Sequence, residues 1–169
     1  LVIFDKDFNV TGTKLVSGTD GELLLESGVV YNDQVYLVGN TTTKQGDLAV
    51  LCMETDATIN WLKTYGGSSE EGILIRSSES VIAASGGLYF VGKTASFGSG
   101  GDDIYFVKTD LNGNSGCNET LINTSTASMP YNPIDRNFDT NYEITISDIG
   151  AETEISDDLP VTILCPNTV

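Results

Sequence analysis

The sequence contains no histidine and only eight basic residues, against 24 acidic residues, and its formal net charge is -16. Without histidine the chain lacks the commonest general base and the commonest ligand of transition metals. Catalytic arrangements that pair serine or cysteine with histidine are excluded for the same reason. Nucleic-acid binding depends on clustered lysine and arginine that displace counterions, and the sequence has no such cluster. We therefore expect no nucleic-acid partner and few possible catalytic mechanisms.

Long apolar runs and helical periodicity are also missing. No run approaches the ~20 residues that a helix needs to span a membrane, so we expect a protein that does not span one. Short β-branched and aromatic runs, such as 35–39 and 104–108, are apolar on both alternating faces. This pattern is typical of strands buried between neighbouring sheets. Turn residues separate the runs, and the sequence therefore predicts an all-β fold.

Cysteine is scarce, with three residues in the chain. Cys52 lies in the apolar run 48–53, where we expect a small buried thiol. Cys117 and Cys165 bracket the C-terminal segment. In a secreted protein they would form a disulfide that closes a loop of roughly 48 residues and contributes about 4 kcal/mol in the chain-entropy model. Two free thiols are the alternative.

Alignment of the chain with itself reveals a repeated pattern. Three apolar runs lead into turns that contain Asp7, Asp56 and Asp110. The spacing is 49 residues (from 7 to 56) and then 54 residues (from 56 to 110). The passages 35–41 and 88–94 match, with Tyr, Val, Gly and Thr at the same places. A period of this length indicates propeller blades or solenoid turns.

A propeller blade is a twisted sheet of about four strands that cannot bury both faces alone, so blades stack around an axis. The chain holds two recognisable units preceded by one strand, whereas a closed propeller needs at least about four blades. We therefore expect β-propeller-type blades that form an incomplete propeller, as part of a longer polypeptide or complex. Residues 1–117 would carry these repeats, and residues 118–169 an acidic linker and a C-terminal β extension.

The densest set of repeat motifs lies within residues 61–114. It consists of Trp61-Leu-Lys-Thr-Tyr-Gly-Gly67, Ser85-Gly-Gly-Leu-Tyr-Phe-Val-Gly-Lys-Thr94, Ser96-Phe-Gly98, Asp103-Ile-Tyr-Phe-Val-Lys-Thr-Asp110 and Asn112-Gly-Asn114. This ordered set resembles the repeats of bacterial secreted β-propeller proteins, which read roughly W-x-K-T-Y-G-G, D-G-G-Y-x-x-x-G-x-T-x-S-F-G and D-x-Y-x-x-K-x-D-x-x-G-N. The resemblance implies a propeller fold and export, commonly as a cell-surface or type IX-secreted protein.

The chain departs from that pattern at two places. Ser85 replaces the aspartate of the Asp-Gly-Gly turn, a change that costs little because the glycines supply the unusual φ angles. After Asn114, the next Trp-x-Lys-Thr is replaced by residues 115–118, so the repeat array stops there.

The C-terminal segment, residues 118–169, contains nine acidic residues and a single basic one, Arg136. Its first part, up to Ser128, is rich in Thr, Ser and Asn and indicates an extended linker. Residues 142–146 and 161–165 have strand patterns. We expect these two strands to pair, or to cap the last blade and cover its edge; contact with another chain is the alternative.

Several acidic positions are candidate sites. Asp110-x-Asn112-Gly113-Asn114 spaces oxygen ligands as a calcium loop does but lacks the downstream glutamate, so a turn is expected. The acidic pairs 102–103 and 157–158 are further calcium candidates. Glu70 and Glu71 are adjacent, and adjacent strand residues point to opposite faces, so they are poorly placed as a glycosidase pair. We expect no cofactor, with calcium as the alternative.

These observations predict a non-catalytic, extracellular scaffold or binding module of an exported bacterial surface protein. The partner would be another protein or a surface glycan. One alternative is a secretion cargo or subunit that is held in a surface complex through its C-terminal segment. Another is a fragment of a propeller polysaccharide lyase or glycosidase. The sequence identifies no catalytic residue, and Cys117 and Cys165 are the only specific pair that it proposes.

Overall fold

The computed structural model describes residues 1–7, 10–18, 21–42, 46–72 and 81–128, together with positions 162 and 164. These residues form twelve β-strands in three antiparallel sheets and no helix, which confirms the all-β prediction. The strands are β1 (Val2–Phe4), β2 (Val10–Gly18), β3 (Leu23–Tyr31), β4 (Gln34–Thr41), β5 (Leu48–Glu54), β6 (Ile59–Tyr65), β7 (Glu71–Gly72), β8 (Val81–Ala84), β9 (Gly87–Thr94), β10 (Asp103–Thr109), β11 (Glu119–Leu121) and β12 (Thr124–Ser128). Within the described part, no helix exists that could cross a membrane.

Sheet II lies in the middle of the described structure and consists of β3, β4, β5 and β6 in a meander, with β11 added beside β6. A two-residue hairpin joins β3 to β4, with positive φ at both Asn32 (50°) and Asp33 (63°). These angles are those of a type I′ turn, whose twist matches the twist of the strands, and Asn and Asp tolerate them well. The Asn-Asp dipeptide, a turn signal in the sequence, therefore forms a turn in the structure.

Sheet III has β9 at its centre, with β10 on one side and with β7 and β8 on the other. Its register repeats that of sheet II. In sheet II, Val38 of β4 lies opposite Val50 of β5. In sheet III, Val91 of β9 lies opposite Phe106 of β10. The matched passages 35–41 and 88–94 therefore occupy corresponding strands.

Sheet I contains β1, β2 and β12. Strand β12 pairs with β2 over Thr124–Ser128, and β11 pairs with the outer edge of β6. Residues 119–128 are therefore extended, as the sequence indicates, but they form edge strands of sheets II and I rather than a free linker. Open strand edges offer unpaired N–H and C=O groups, and these two short strands cover them.

The sheets stack in the order I, II, III. We call the face of a sheet that looks toward the next sheet in this order its front face, and the opposite face its rear face. Along β5, Leu48, Val50 and Cys52 lie on the front face, and Ala49 and Leu51 lie on the rear face. All five are fully buried, because successive strand residues point to opposite sides and both sides of sheet II are covered.

Two apolar clusters hold the stack together. The rear face of sheet II packs against Val16 of β2. The front face of sheet II packs against the rear face of sheet III, where Tyr65 meets Phe90 edge-to-face at a centroid distance of 4.9 Å. Aromatic contacts of this geometry contribute about 0.5–1.5 kcal/mol beyond the burial of their area. The rear-face members of sheet III are Val81, Leu88, Phe90, Tyr105 and Val107.

The glycine that the two matched passages share is required by close packing in both. At Gly92, a Cβ atom would lie 2.5 Å from the carbonyl oxygen of Gly72 and 2.8 Å from a methyl carbon of Leu48 in sheet II. At the corresponding Gly39, a Cβ atom would overlap the backbone of Leu24. Any larger residue would push neighbouring strands or sheets apart, which explains why the Val-Gly-x-Thr motif occurs twice.

Most of the C-terminal segment lies outside the described residues. The strand candidate 142–146 falls there entirely, and of the candidate 161–165 only positions 162 and 164 are described. The division of the chain at residue 117 stays a prediction.

Candidate functional site

Two five-residue turns, 54–58 and 110–114, share one hydrogen-bonding design at the same end of sheets II and III. In each turn, the N–H of the first residue donates to the carbonyl of the fifth, at 2.8 and 3.0 Å respectively. The N–H of the fourth residue donates back to the carbonyl of the first, at 2.9 and 3.0 Å. The fourth residue has a positive φ in both, 62° at Ala57 and 73° at Gly113. The turns have the same conformation although they share no identical residue.

A lysine of the preceding sheet donates to the fourth carbonyl of each turn, and we call this contact a lysine latch. Lys63 on the front face of β6 donates from Nζ to the carbonyl oxygen of Gly113 at 3.2 Å and to Oδ1 of Asn114 at 2.5 Å. Lys14 of β2 donates from Nζ to the carbonyl oxygen of Ala57 at 2.9 Å. The first latch therefore joins sheet II to sheet III, and the second joins sheet I to sheet II.

The latch formed by Lys63 is buried. The Lys63 side chain lies beside the Trp61 ring, with Nζ 5.9 Å from the ring centroid, and Nζ is 3.7 Å from a carboxylate oxygen of Glu119. The hydroxyl of Tyr65 donates to the same Gly113 carbonyl at 2.8 Å. Burial raises the pKa of Tyr65 well above its ordinary value, so this hydroxyl stays a donor. The Trp-x-Lys-x-Tyr spacing thus places three side chains on one face, where they hold the turn of the next sheet.

Glu119 fixes the path of the chain as it leaves sheet III. Its carboxylate accepts hydrogen bonds from the backbone N–H and, at 2.7 Å, from the hydroxyl of Ser115. Partial burial opposes ionisation, but the hydrogen bonds from Ser115 and the nearby charge of Lys63 prevail and lower the pKa of Glu119. The residues that replace the expected repeat motif after Asn114 therefore make a specific turn that leads into β11.

The adjacent glutamates Glu70 and Glu71 have separate roles. Glu71 is fully buried and accepts hydrogen bonds from the backbone N–H of Gly67 at 2.9 Å and from the hydroxyl of Thr94 at 2.8 Å. Glu70 is exposed and pairs with Lys93 at 3.3 Å. The prediction that the two carboxylates point apart is confirmed. Glu71 holds the Gly-Gly and Thr-x-Ser-Phe motifs together rather than facing a substrate cleft.

The calcium candidates are occupied by internal hydrogen bonds where they are described. Oδ1 of Asp110 accepts the backbone N–H groups of Asn112 at 2.9 Å and Asn114 at 2.8 Å. Burial works against the charge, but these hydrogen bonds lower the pKa of Asp110. Oδ2 of Asp103 accepts the N–H of Ser99 at 3.1 Å. The pair 157–158 lies outside the described residues.

Asp102, the other member of its acidic pair, lies 3.4 Å from Lys93 Nζ. Hydrogen bonds to Glu70 and Asp102 raise the pKa of Lys93. Across the described ranges, no group of three or more His, Cys, Asp or Glu side chains is arranged to hold a metal ion.

The cysteines are placed as follows. Cys52 is a buried free thiol, as predicted, and burial raises its pKa. Sγ of Cys117 lies 3.8 Å from the carbonyl oxygen of Leu164, and the Leu164 side chain packs against the cluster between sheets II and III. Cys165 lies outside the described residues, so its pairing with Cys117 stays a prediction.

The two ends of the stack differ. One end carries the tight turns described above. The other carries residues 42, 46 and 47 and the connections 66–70 and 95–102, of which residues 98–102 are exposed. Gly100 and Gly101 have φ of 100° and 81°, and a Cβ atom at either would touch nothing. We call this second end the loop end. The space beside Gly100 and Gly101 and the exposure of residues 98–102 allow contact with another molecule there.

Comparison of the chain with protein-family models, with curated proteins and with solved structures found no match.

The roles of three residues were not predicted from the sequence: the latches formed by Lys14 and Lys63, and the buried carboxylate of Glu71. For Lys63 the sequence did carry a signal. Trp61, Lys63 and Tyr65 occupy every second position of one strand, and they therefore share the face that the strand pattern predicts to be buried. A lysine at such a position needs acceptors from another element. Glu71 had no comparable signal, since its burial depends on the loops that surround it.

Proposed function

We propose that this chain is a non-catalytic scaffold or binding module, built from β-propeller-type blades, of an exported bacterial surface protein. The observation that carries the proposal is the lysine latch. It occurs twice, from sheet I to sheet II and from sheet II to sheet III, on corresponding carbonyl groups of corresponding turns. A contact that recurs between successive sheets is what stacked repeats require, because each repeat is stabilised by its neighbours.

The use of the polar motif residues supports a non-catalytic role. Lys63, Glu71, Asp103 and Asp110 are each bonded to backbone groups of turns and loops. Catalytic acids and bases must instead be free to exchange protons with a substrate. The polar residues of the repeat motifs are thus accounted for by the stability of the fold.

The loop end is the proposed binding surface. It combines exposed connections with a rigid stack of sheets beneath them, an arrangement that places function on loops and stability on strands. The exposed acidic residue Asp102 and the glycines beside it allow polar contacts with a protein or a glycan. The side chains of the tight-turn end are largely engaged by internal hydrogen bonds and lysine latches.

The test is a binding screen of the immobilised chain against a glycan array and against proteins from a bacterial surface fraction. The expected result is a ligand whose binding is weakened by Asp102→Ser, which removes the charge of segment 98–102, because its other four residues are already Gly and Ser. A replacement of the exposed Asn112 by Ser at the tight-turn end serves as the control and should leave binding intact. Hydrolysis or elimination of any polysaccharide by the chain would contradict the proposal and favour the lyase or glycosidase alternative.

The disulfide that is expected in an exported protein is tested separately. In an oxidising compartment, Cys117 and Cys165 would be joined, so alkylation of the unfolded, unreduced protein should modify Cys52 alone. Mass spectrometry counts the modified thiols. Three modified cysteines in protein recovered from the cell exterior would contradict the disulfide. The expected result is one modified cysteine in that protein and three modified cysteines in a control sample that is reduced before alkylation.

A further inference from the structure

The front face of sheet III is exposed although it is apolar. Ile82, Val91, Ile104 and Phe106 all lie on this face, and they are 64, 39, 79 and 63% exposed. Tyr89 stands beside Phe106, with the two ring centroids 6.3 Å apart. Several exposed apolar side chains on one face, which also carries Lys93 and Lys108, mark an interaction site, whereas single exposed apolar residues do not.

The strand registers show what this face corresponds to. Tyr36 pairs with Cys52, Val38 with Val50 and Asn40 with Leu48 in sheet II. The same places in sheet III are taken by Tyr89 with Lys108, Val91 with Phe106 and Lys93 with Ile104. In sheet II these front-face positions at 36, 38, 48, 50 and 52 are all 0% exposed, because sheet III covers them. The front face of sheet III is therefore the same docking surface, and none of the three described sheets covers it.

At the other end of the stack, sheet I exposes apolar side chains on its rear face. On sheet I, Lys14 and Val16 point toward sheet II, so Leu15 points to the rear. Val2 and Phe4 lie on that rear face as well, and the three side chains are 50 to 54% exposed. Among the described residues, the stack thus presents an open front face at sheet III and an open apolar rear face at sheet I.

The charges at these two ends are complementary. Between sheets II and III, the hydroxyl of Tyr36 donates to Gln34 Oε1 at 2.6 Å and lies 3.4 Å from the carbonyl oxygen of Leu111, in the turn of the following sheet. A sheet docked on sheet III would accordingly bring its turn next to Tyr89 and Lys108. In sheet I the turn that follows β1 contains Asp5, Lys6 and Asp7, all exposed, and Lys6 pairs with Asp7 at 2.8 Å. A turn with two acidic residues and one basic residue would then lie beside Lys108.

We propose that the front face of sheet III binds the rear face of sheet I of a second copy of this chain, so that the stack continues from one molecule to the next. The contact is head-to-tail, and such contacts generate rings where the rotation closes and open assemblies where it does not. The proposal does not depend on export or on any ligand at the loop end.

The test is sedimentation velocity of the full chain over a concentration series, with Phe106→Asp as the front variant and Phe4→Asp as the rear variant. Val30→Asp is the control, because Val30 is 64% exposed, like Phe106, but lies on a sheet that already has both neighbours. Circular dichroism and thermal unfolding establish that each variant is folded. Each measurement is made at about 0.15 M and about 0.5 M salt, because the charge of -16 on each copy causes repulsion that salt screens.

The expected result is association of the unaltered chain, a loss of at least about tenfold in affinity for both the front and the rear variant, and no change for the control. A mixture of the front and rear variants should form dimers again, since one intact front face and one intact rear face remain. A chain that stays monomeric at every concentration would overturn the proposal. Dissociation by the front variant alone would also overturn it, because it would indicate front-to-front pairing.

Discussion

Sheets II and III are built from corresponding strands in the same register, but they differ in what covers them. Sheet II is packed on both faces, and its outer edge is closed by β6 and β11. Within the described residues, sheet III is packed on its rear face only, and no strand pairs with the outer edge of β10. The comparison teaches that the matched strand passages give each sheet two apolar faces, although the described sheets bury both faces of sheet II and only one face of sheet III.

The largest contrast should appear between two phenylalanines of sheet III. Phe90 is 1% exposed and Phe106 is 63% exposed. Phe90→Ala should lower the free energy of unfolding by about 3–5 kcal/mol, because it removes a buried ring and leaves a cavity. Phe106→Ala in dilute protein should change it by less than about 0.5 kcal/mol. Urea unfolding followed by circular dichroism measures both, and equal losses would contradict the assignment of front and rear faces.

The adjacent glutamates provide the second contrast. Glu71→Ala should lower the free energy of unfolding by about 2–3 kcal/mol, because buried N–H groups such as that of Gly67 would lose their acceptor. Glu70→Ala, the matched control, should cost less than about 1 kcal/mol, as is usual for an exposed ion pair. The same unfolding assay compares them, and a similar small loss for both would show that Glu71 is not needed to hold the loops.

The two lysine latches differ in burial and should differ in energy. Lys63→Met keeps the apolar stem but leaves buried acceptors unpaired, and it should cost about 1–3 kcal/mol. Lys14→Met removes a more exposed latch and should cost about 0.5–1 kcal/mol. Thermal unfolding of the two variants ranks them. A greater loss for Lys14 would reverse the comparison.

The acidic groups around the Lys63 latch predict a pH dependence. Asp110 and Glu119 have a lower pKa in the folded state than their ordinary values, so the folded chain binds fewer protons than the unfolded chain in acid. Their stabilising contribution is therefore present above about pH 4.5 and is lost as the pH falls through the folded-state pKa values. Unfolding measured from pH 7 to pH 3 should show this loss, and Asp110→Asn should reduce its slope. A stability that rises on acidification would contradict the assignment.

The smallest expected effect separates the two similar turns. Ala57 has a left-handed backbone that glycine adopts without strain, so Ala57→Gly should raise the free energy of unfolding by about 0.5–1 kcal/mol. Gly113→Ala should lower it by about 1 kcal/mol, since the added methyl group would also press on Trp61. Opposite signs for the two substitutions in thermal unfolding would confirm that the turns share one conformation.

Much of the fold could be predicted from the sequence. Alternation in the runs 35–39 and 104–108 depends only on the two-residue period of a strand, and the structure places strands there. The hairpin at Asn32-Asp33 follows from the backbone preference of those residues. The candidate site was predicted less well, because the latch of Lys63 needs a turn that lies 50 residues further along the chain.

By itself, the sequence determined the all-β class, the positions of the main strands and turns, and the two apolar faces of the matched strands, since these depend on neighbouring residues. Only the tertiary structure decided which faces are covered and where the edge strands pair. Residues 119–128 carry a polar pattern that fits any open edge, and the turn held by Glu119 directs them to sheets II and I. An edge strand takes its partner from whichever backbone groups lie unpaired beside it, and that arrangement exists only after the sheets have stacked.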